Sequence, residues 1–392
     1  MKWATSASFE ADLAGAFDQV RGDLASGLRW PPDLLLLFLT PHYQDQIADL
    51  PGLVEDPGPA RMLGCTATGV IGGGREVEDR ACLAATAAVL PGTAMTPFQL
   101  QAGDLPDLDA APERWHEALG VDPDPPPHFL LLADPTGPSP LDPRPLLMGL
   151  DFAYPGAAKI GGLASVLQEN RLILDGRIVT GGCVGIALQG GVEVDTIVAQ
   201  GCRAIGPPMT VTGCSGYFLE GLDGRPAVER LVEIYHEAGA EDQERMQTSL
   251  HIGVAATGLK LELGAGDFLI RNVLQLDHEK GVLAVGDRLS RGQTVQFHVR
   301  DAAAATQDLD QLLARYRSRQ PEAAPAGGLL FTCTGRGHRF FGRAGHDSGR
   351  LEESLGQIPL GGFFCGGEIG PVGDTTYLHG YTSSFALFRP PS

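Results

Sequence analysis

The feature that most constrains the fold is one segment pattern that occurs three times along the chain. In each occurrence a strongly apolar run, which predicts a buried strand, precedes a glycine-rich bend that predicts a β-hairpin. The intervals are 30, 32 and 32 residues, measured from Leu34 to Gly64, from Phe129 to Gly161 and from Leu329 to Gly361. Such nearly equal intervals indicate three copies of one unit, in which a strand, a helical crossover and a glycine hairpin recur.

The spacing of the copies bears on the domain organisation of this 392-residue chain. The gap between the second and third copies is about twice the first gap, which predicts a degenerate fourth copy over residues 250–299. A helix predicted over residues 226–238 places a domain boundary near residue 225. We therefore expect an α+β (mixed α/β) fold of two domains, 31–224 and 225–392. Their repeated strand–helix–β-hairpin units form mixed sheets flanked by helices.

Two further helices are predicted outside the repeated pattern. Phe9, Leu13 and Phe17 begin an apolar series at helical spacing, which predicts an amphipathic helix over residues 7–26. Residues 1–30 are therefore expected to pack as an N-terminal helix on the first domain. A second helix is predicted over residues 301–319, with Asp301 as its N-cap.

Charge and cysteine usage restrict the compartment and the partners. The chain has 29 Lys and Arg against 48 Asp and Glu, a formal net charge of −19, which argues against nucleic acid and anionic membrane surfaces as partners. No membrane insertion is expected, because the apolar run Leu34–Leu39 is far shorter than a bilayer span. The N-terminus lacks signal-peptide character, and the seven cysteines contain no C-x-x-C pair. We therefore expect reduced thiols and a cytoplasmic location.

Signatures of common cofactor and metal sites are absent from the sequence, so no cofactor and no metal is predicted. Cys365 is the strongest candidate nucleophile, because Glu368 and His379 follow it in one glycine-rich segment. Its neighbours Phe363 and Phe364 favour a packing role instead. Cys65, which occupies the related place in the first copy, has no adjacent base.

Arg336 and Glu368 are the most suggestive charged residues, because each lies in a loop where glycine exposes the backbone. A guanidinium binds a carboxylate and a carboxylate binds an ammonium group, so both residues are expected to face one pocket between the two domains and to bind a small zwitterion such as an amino acid. Three alternatives remain open. Arg336 could pair with a surface acid, Glu368 could be an ordinary turn residue, or the two could pair with each other.

Several motifs resemble those of one family, the FIST proteins, over roughly residues 33–390. Residues 362–373 (G-F-F-C-G-G-E-I-G-P-V-G) and 378–383 (L-H-G-Y-T-S) closely resemble the closing motif of FIST proteins. C-T-G-R-G at 333–337 is similar to the family's C-x-G-R-G step, and residues 200–206 resemble its Q-G-C-R-P-I-G segment. G-C-T-A-T-G at 64–69 is similar to the first glycine hairpin. Two residues depart from the pattern: Ala204 stands where proline is usual, and Gly367 where a polar residue is common.

The resemblance implies an N-terminal and a C-terminal FIST domain that sense a small molecule, with amino acids the usual suggestion, and that signal through a separate protein partner. The candidate ligand-binding residues in or beside the resembling motifs are Arg336, Glu368, Cys65, Thr66, Arg203 and His379. Two other hypotheses stay open: a cysteine-dependent enzyme acting on a small metabolite, and an interaction scaffold without a ligand. The sensor hypothesis better explains glycine-rich loops that recur without a matching base or metal.

Overall fold

The structure is a computed structural model that describes residues 1–54, 58–137, 140–166, 169–256, 263–319 and 324–391. The chain divides into two compact units. The first comprises residues 1–198, 310–378 and 382–392, and the second comprises residues 199–309 and 379–381.

The first unit begins with two complete copies of the repeat. The first copy contains β1 (Lys2–Ser8), α1 (Leu13–Gly27), β2 (Leu34–Leu39), α2 (Leu50–Leu53), β3 (Arg61–Thr66), β4 (Gly69–Gly72), β5 (Arg75–Glu78) and β6 (Leu83–Val89). The second contains β7 (Thr93–Leu100), α3 (Pro112–Leu119), β8 (Pro127–Asp134), α4 (Pro143–Ala153), β9 (Lys159–Leu163), β10 (Leu172–Leu174), β11 (Arg177–Val179) and β12 (Gly182–Gly190).

The third copy is interrupted after its first strand, β13 (Glu193–Ala199), by the second unit. That unit contains β14 (Cys202–Ser215), β15 (Phe218–Leu222), β16 (Arg225–Pro226), α5 (Ala227–Glu237), α6 (Ala240–Ser249), β17 (Leu250–Ala255), β18 (Phe268–Asp277), β19 (Val282–Val285) and β20 (Thr294–Arg300). The third copy then continues through α7 (Ala302–Arg319), β21 (Gly327–Cys333), α8 (His338–Phe341), α9 (His346–Leu355), β22 (Leu360–Cys365), β23 (Glu368–Val372), β24 (Thr375–His379) and β25 (Ser383–Arg389).

The three copies build three six-stranded sheets with one common strand order. The orders are β1-β6-β2-β3-β10-β11, β7-β12-β8-β9-β23-β24 and β13-β25-β21-β22-β4-β5. In each sheet the two central strands β2/β3, β8/β9 or β21/β22 are parallel, and β6, β12 or β25 is antiparallel to the first of them. The predicted triple repeat is therefore confirmed in strand order and direction.

Each hairpin leaves its own copy and completes the sheet of another copy. The hairpin β4–β5 of the first copy joins β22, the hairpin β10–β11 of the second joins β3, and the hairpin β23–β24 of the third joins β9. This cyclic exchange ties the three copies into one body around a shared apolar core. The core takes Leu36 and Phe38, Leu130 and Leu132, and Leu329 and Phe331 from equivalent strands of the three copies.

The second unit is an antiparallel sheet with the order β14-β20-β17-β18-β19-β15-β16, and the pairing of β14 with β15 closes it on itself. Its apolar core contains Leu219, Leu283, Phe297 and Val299, and the helix α5 packs against it through Leu231 and other residues. The predicted fourth copy over residues 250–299 is wrong, because β17 and β20 are antiparallel neighbours rather than a parallel pair. The wide gap between the second and third copies reflects an inserted unit instead.

The N-terminal segment also differs from its prediction. The helix begins at Leu13, where the Asp12 side chain caps it by accepting the backbone N–H of Gly15 at 2.8 Å. Residues 2–8 form the strand β1, which pairs antiparallel with β6. Phe9, which suits the helical spacing, lies between the two elements. The helices predicted over 226–238 and 301–319 are present as α5 and α7.

Candidate functional site

One glycine in each copy defines which positions of the three copies are equivalent. A Cβ atom at Gly64, Gly161 or Gly362 would lie 2.1, 1.8 or 1.9 Å from a carbonyl oxygen of the neighbouring parallel strand, so only glycine fits there. These carbonyl groups belong to Leu37, Leu131 and Leu330, each directly opposite its glycine in the strand register. The spacing in the sequence had aligned Gly361 with Gly64. The structure shows that Gly362 is the counterpart.

Glu368 occupies a position that is apolar in the other two copies. Ile71, Ile173 and Ile369 of the three hairpins each lie opposite one of the defining glycines. The residues immediately before these isoleucines are Val70, Leu172 and Glu368, and all three are completely buried. A carboxyl group has therefore replaced an aliphatic side chain at a core position of the third copy.

Two other polar side chains of the third copy also occupy positions that are apolar in the first two copies. Thr332 lies where Leu39 and Ala133 lie in the first two copies. Ser383 takes the place of Leu83 and Cys183 across the antiparallel pairing. Both Thr332 and Ser383 are buried. The third copy thus concentrates buried polar groups where its relatives within the chain are apolar, and this polar cluster is the candidate site.

The carboxyl group of Glu368 is satisfied on one side only. Its Oε2 accepts hydrogen bonds from the backbone N–H of Thr382 at 3.1 Å and from the Thr382 hydroxyl at 2.7 Å. Its Oε1 is buried and accepts no hydrogen bond from any residue that the structure describes. Burial raises the pKa of Glu368 from 4.5 to about 8, although the Thr382 donors and the charge of Arg336 act in the opposite direction.

Arg336 and Asp347 form a buried ion pair next to this carboxyl group. The guanidinium Nε and Nη2 atoms donate to the two carboxylate oxygens of Asp347, each at 3.0 Å, and both side chains are almost completely inaccessible. Asp347 also accepts hydrogen bonds from the hydroxyl groups of Thr332 and Ser383, and the His346 Nδ1 atom lies 2.8 Å from its Oδ1. Burial alone would raise the pKa of Asp347, but the Arg336 charge and the hydrogen bonds from His346, Arg336 and Ser383 hold it well below its ordinary value.

A second perturbed carboxyl group reaches this cluster from the first copy. Glu76, on the hairpin strand β5, accepts the backbone N–H of Ser348 at 2.7 Å, in the first turn of α9. Burial, and next the negative charge of Asp347, raise the pKa of Glu76 to about 7, while the Ser348 hydrogen bonds oppose that shift. The exchanged hairpin therefore brings an acidic group of the first copy to the polar cluster of the third.

The sequence had singled out Arg336 and Glu368, and both lie in the polar cluster of the first unit. Their charges influence each other, and the hydrogen bonds from Nε and Nη2 of Arg336 go to Asp347 rather than to Glu368. Arg336 is buried, which differs from the alternative that pairs it with an acid at the surface. Sequence reasoning missed Asp347. The signal for it is the run G-H-D-S at 345–348, in which Gly345 directly precedes the helix α9 and Asp347 lies in its first turn.

The two predicted cysteines and Thr66 are also buried. Burial raises the pKa of both Cys65 and Cys365 well above its ordinary value, and the Cys365 thiol lies 3.6 Å from the Phe363 carbonyl oxygen as a weak donor. The Thr66 hydroxyl accepts the backbone N–H of Arg171 at 2.9 Å. The sequence analysis placed Cys65 at the position related to Cys365, but the strand register aligns Cys365 with Ala67.

Arg203 and His379 belong to the second unit, whereas the other candidate residues belong to the first. Arg203 is paired with two carboxylates, since its Nη2 contacts Asp242 and its Nε lies 3.1 Å from Asp301. His379 is buried at the end of β24. Among the residues that the structure describes, no group of three or more His, Cys, Asp or Glu side chains has an arrangement that could hold a metal ion.

Comparison with known proteins places this arrangement in a family. The model of the FIST N domain matches residues 33–225, and the model of the FIST C domain matches residues 227–371. The chain belongs to the FIST family. At the level of the family, FIST domains are sensory domains of signal transduction. Within the described residues, no helix combines the length and apolar character needed to cross a membrane.

Two of the relatives found cover nearly the whole chain. An uncharacterized protein of Mycobacterium tuberculosis strain H37Rv is 38% identical over 395 residues, covering 98% of each chain. An uncharacterized protein of Mycobacterium bovis is 37% identical over 388 residues, covering 95% of this chain and 94% of its own. An F-box/LRR-repeat protein of Arabidopsis thaliana is 29% identical over 124 residues, which is 28% of this chain and 23% of that protein.

One solved structure aligns along the full length of this FIST protein, that of a cyanuric acid hydrolase from A. caulinodans. The alignment covers 100% of this chain and 99% of the hydrolase at 10% sequence identity, with a TM-score of 0.35. A TM-score of that size supports no inference about fold or activity.

Proposed function

We propose that this FIST protein is a cytoplasmic small-molecule sensor whose ligand engages Glu368. The observation that carries the proposal is the buried Oε1 atom of Glu368, which accepts no hydrogen bond from the described residues, at a position that is apolar in the other two copies. An unsatisfied buried polar atom costs about 1–3 kcal/mol, so a ligand that donates a hydrogen bond to Oε1 recovers that cost on binding.

Amino acids are the first class of ligand that we expect the Glu368 carboxyl group to bind. An α-ammonium group offers several N–H donors and a positive charge, which stabilises the ionised form of Glu368. Arg336 contributes through its charge and through its pairing with Asp347 rather than by direct contact with a ligand carboxylate. The roles of Cys65, Thr66, Arg203 and His379 toward a ligand stay predictions.

One observation supports the sensor hypothesis over the cysteine-dependent enzyme. The thiol groups of Cys65 and Cys365 are completely buried, and their raised pKa values leave the reactive thiolate form unpopulated near neutral pH. None of the seven cysteines, all of which lie in the described ranges, forms a disulfide bond, which is consistent with a reducing compartment. Signal output then passes to a separate protein partner that distinguishes the ligand-bound protein from the free one.

The proposal is tested by a calorimetric screen of the twenty amino acids and of related small amines, after native mass spectrometry of the purified protein for a co-purified molecule. The identified ligand is then titrated into the wild type, Glu368→Gln and Glu368→Leu. Loss of a buried charged contact costs about 2–5 kcal/mol, so both variants should bind about thirtyfold more weakly or worse.

The matched control is Glu113→Gln, which removes an exposed carboxyl group on α3 and should leave the affinity unchanged. A ligand that binds the wild type and both Glu368 variants equally would place the site elsewhere. If no amino acid or amine binds and none co-purifies, the amino-acid assignment fails.

A further inference from the structure

Two cysteines of the first unit face each other across the parallel pairing of β21 and β22. Cys333, the last residue of β21, lies directly opposite Cys365, the last residue of β22. Directly opposite residues of neighbouring strands place their side chains on the same face of the sheet. Neighbouring strands lie about 4.7–4.9 Å apart, and a disulfide bond requires Cα atoms about 4.4–6.8 Å apart, so the backbone already meets that requirement. Both residues are thiols in this structure.

The other two copies have no thiol at either of these positions. The equivalent positions lie three residues after each defining glycine and three residues after the leucine opposite it. They hold Ala67 and Thr40 in the first copy, and Ala164 and Asp134 in the second. The pair of adjacent thiols is therefore specific to the third copy, which also contains the polar cluster.

The fold holds the two cysteines side by side. The backbone N–H of Cys333 donates to the Thr382 carbonyl oxygen at 3.0 Å, and that of Gly366, directly after Cys365, donates to the Leu163 carbonyl oxygen at 2.9 Å. Burial makes the largest contribution to the raised pKa of Cys365, and a charge on Cys333 is among the further contributions. The two thiols therefore lie close enough to interact.

The two thiols differ in their access to solvent. Cys333 is partly exposed, whereas Cys365 is completely buried. The Cys333 Sγ atom accepts the backbone N–H of Gly335 at 3.4 Å, and a negative charge on Cys333 attracts the Arg336 guanidinium. Both interactions favour the thiolate, which is the form that attacks a disulfide. Cys333 is therefore the thiol that an external oxidant meets first, and Cys365 is the thiol beside it.

We propose that Cys333 and Cys365 form a reversible disulfide bond, with a low-molecular-weight disulfide such as oxidised glutathione as the oxidant. The Cys333 thiolate attacks one sulfur of that disulfide. A mixed disulfide forms, and a first small thiol leaves and takes up the proton that Cys333 had released. The Cys365 sulfur then displaces the second small thiol from Cys333, and that thiol leaves with the Cys365 proton. Two protein thiols are oxidised, and one small disulfide is reduced to two thiols.

The proposed bond links the two strands that lead into the polar cluster. Arg336 follows Cys333 by three residues, and Glu368 follows Cys365 by three. A disulfide prefers Cβ atoms about 3.5–4.5 Å apart, closer than the spacing of neighbouring strands, so the bond is strained and readily reduced. Transient, redox-sensing disulfides of this kind occur in reducing compartments. The bond requires no ligand at Glu368 and is independent of the proposed sensor function.

Peptide mapping of the full chain after oxidation tests the proposal. The reduced protein, freed of reductant, is incubated with oxidised glutathione at mildly alkaline pH, quenched with acid and mapped by non-reducing mass spectrometry. We expect one cross-link, between the peptides that contain Cys333 and Cys365, with the loss of two hydrogen atoms and no retained glutathione. Iodoacetamide labelling of Cys333 should be lost after oxidation and should return after treatment with dithiothreitol.

Two variants test the order of the steps. Cys365→Ala places at this position the residue that the first two copies have there, and circular dichroism checks that the variant is folded. It should retain glutathione on Cys333 as a stable mixed disulfide, because no second thiol displaces it. The matched control Cys214→Ala removes a partly exposed cysteine of the second unit and should form the cross-link as the wild type does.

Three outcomes would overturn the proposal. The first is a folded wild type in which oxidised glutathione produces no link between Cys333 and Cys365. The second is a wild type that retains glutathione on Cys333 as fully as Cys365→Ala does. The third is a link from Cys365 to Cys65, which lies on the strand β3 of a different sheet.

Discussion

Glu368 and Leu172 occupy the same position in successive hairpins of the repeat. Leu172 lies opposite Cys65 on the strand β3, and Glu368 lies opposite Gly162, the counterpart of Cys65, on the strand β9. Both side chains are completely buried. The backbone position is therefore constant while the side chain changes from aliphatic to ionisable, so packing alone gives no reason for a carboxyl group there.

The titration of Glu368 should make stability depend on pH. The pKa of this group rises from 4.5 in the unfolded chain to about 8 in the folded protein, so the folded protein binds more protons between those values. The free energy of unfolding of the wild type, relative to that of Glu368→Gln, should therefore fall as the pH rises from about 4.5 to about 8.

Urea denaturation of the two proteins across this range measures that difference. The exposed-site variant Glu113→Gln should track the wild type throughout. A wild-type stability that rises relative to Glu368→Gln over the same window would contradict the raised pKa of Glu368.

Breaking the buried pair of Arg336 and Asp347 should cost substantial stability. Arg336→Ala and Asp347→Ala each leave one buried charge without its partner, and each should lower the free energy of unfolding by about 3–5 kcal/mol. The double variant should lose less than the sum, because it leaves neither charge behind. Chemical denaturation of all four proteins provides the cycle, and additive losses would show that the two residues do not stabilise each other.

Cys365 should behave as a packing residue rather than as a nucleophile. Cys365→Ser places a hydroxyl group in an apolar core with one weak acceptor, the Phe363 carbonyl oxygen, and should destabilise the protein by about 1–3 kcal/mol. Ligand affinity should stay close to that of the wild type. The matched control is Cys333→Ser, a partly exposed position that should cost less. Iodoacetamide labelling of the native wild type at Cys365, ahead of Cys333, would contradict this assignment.

The defining glycines of the repeat should not tolerate a side chain. Gly362 has a φ of +143°, and an alanine Cβ there would lie 1.9 Å from the Leu330 carbonyl oxygen, so Gly362→Ala should prevent folding of the first unit. Gly161→Ala meets the same obstacle at Leu131. The control is Gly22→Ala on the helix α1, where nothing lies within 4 Å, and that variant should gain about 0.5–1 kcal/mol. Circular dichroism and size-exclusion chromatography separate the outcomes.

Local patterns in the sequence were sufficient for the central buried strand of each copy of the repeat. The apolar runs beginning at Leu34, Phe129 and Leu329 predict buried strands, and their similar distances to a glycine-rich segment predict a repeated unit. Each glycine-rich segment, predicted as the bend of a hairpin, instead lies in the strand that pairs in parallel with the apolar run. The helix α5 and the helix α7 are likewise marked by residues next to their ends. These features are encoded within a few residues of where they act, which is why one sequence reveals them.

The same patterns do not predict which strands pair when they lie far apart in the sequence. A hairpin has the same alternation of residues whichever strand it joins, so nothing local indicates that β23–β24 completes the sheet of the second copy. For the same reason the wide gap before the third copy suggested a fourth repeat, whereas the chain inserts an antiparallel unit there.

The candidate site also separates what the sequence indicates from what the tertiary structure decides. Glycine-rich motifs at 333–337 and 366–370 drew attention to Arg336 and Glu368, because loops of small residues leave a charged side chain conspicuous in the sequence. Tertiary structure alone decided that Asp347 takes the Arg336 guanidinium and that Thr382 satisfies only one oxygen of Glu368. Residue types and spacing record which side chains can ionise, but only the packed fold determines which of them are buried and which atoms they meet.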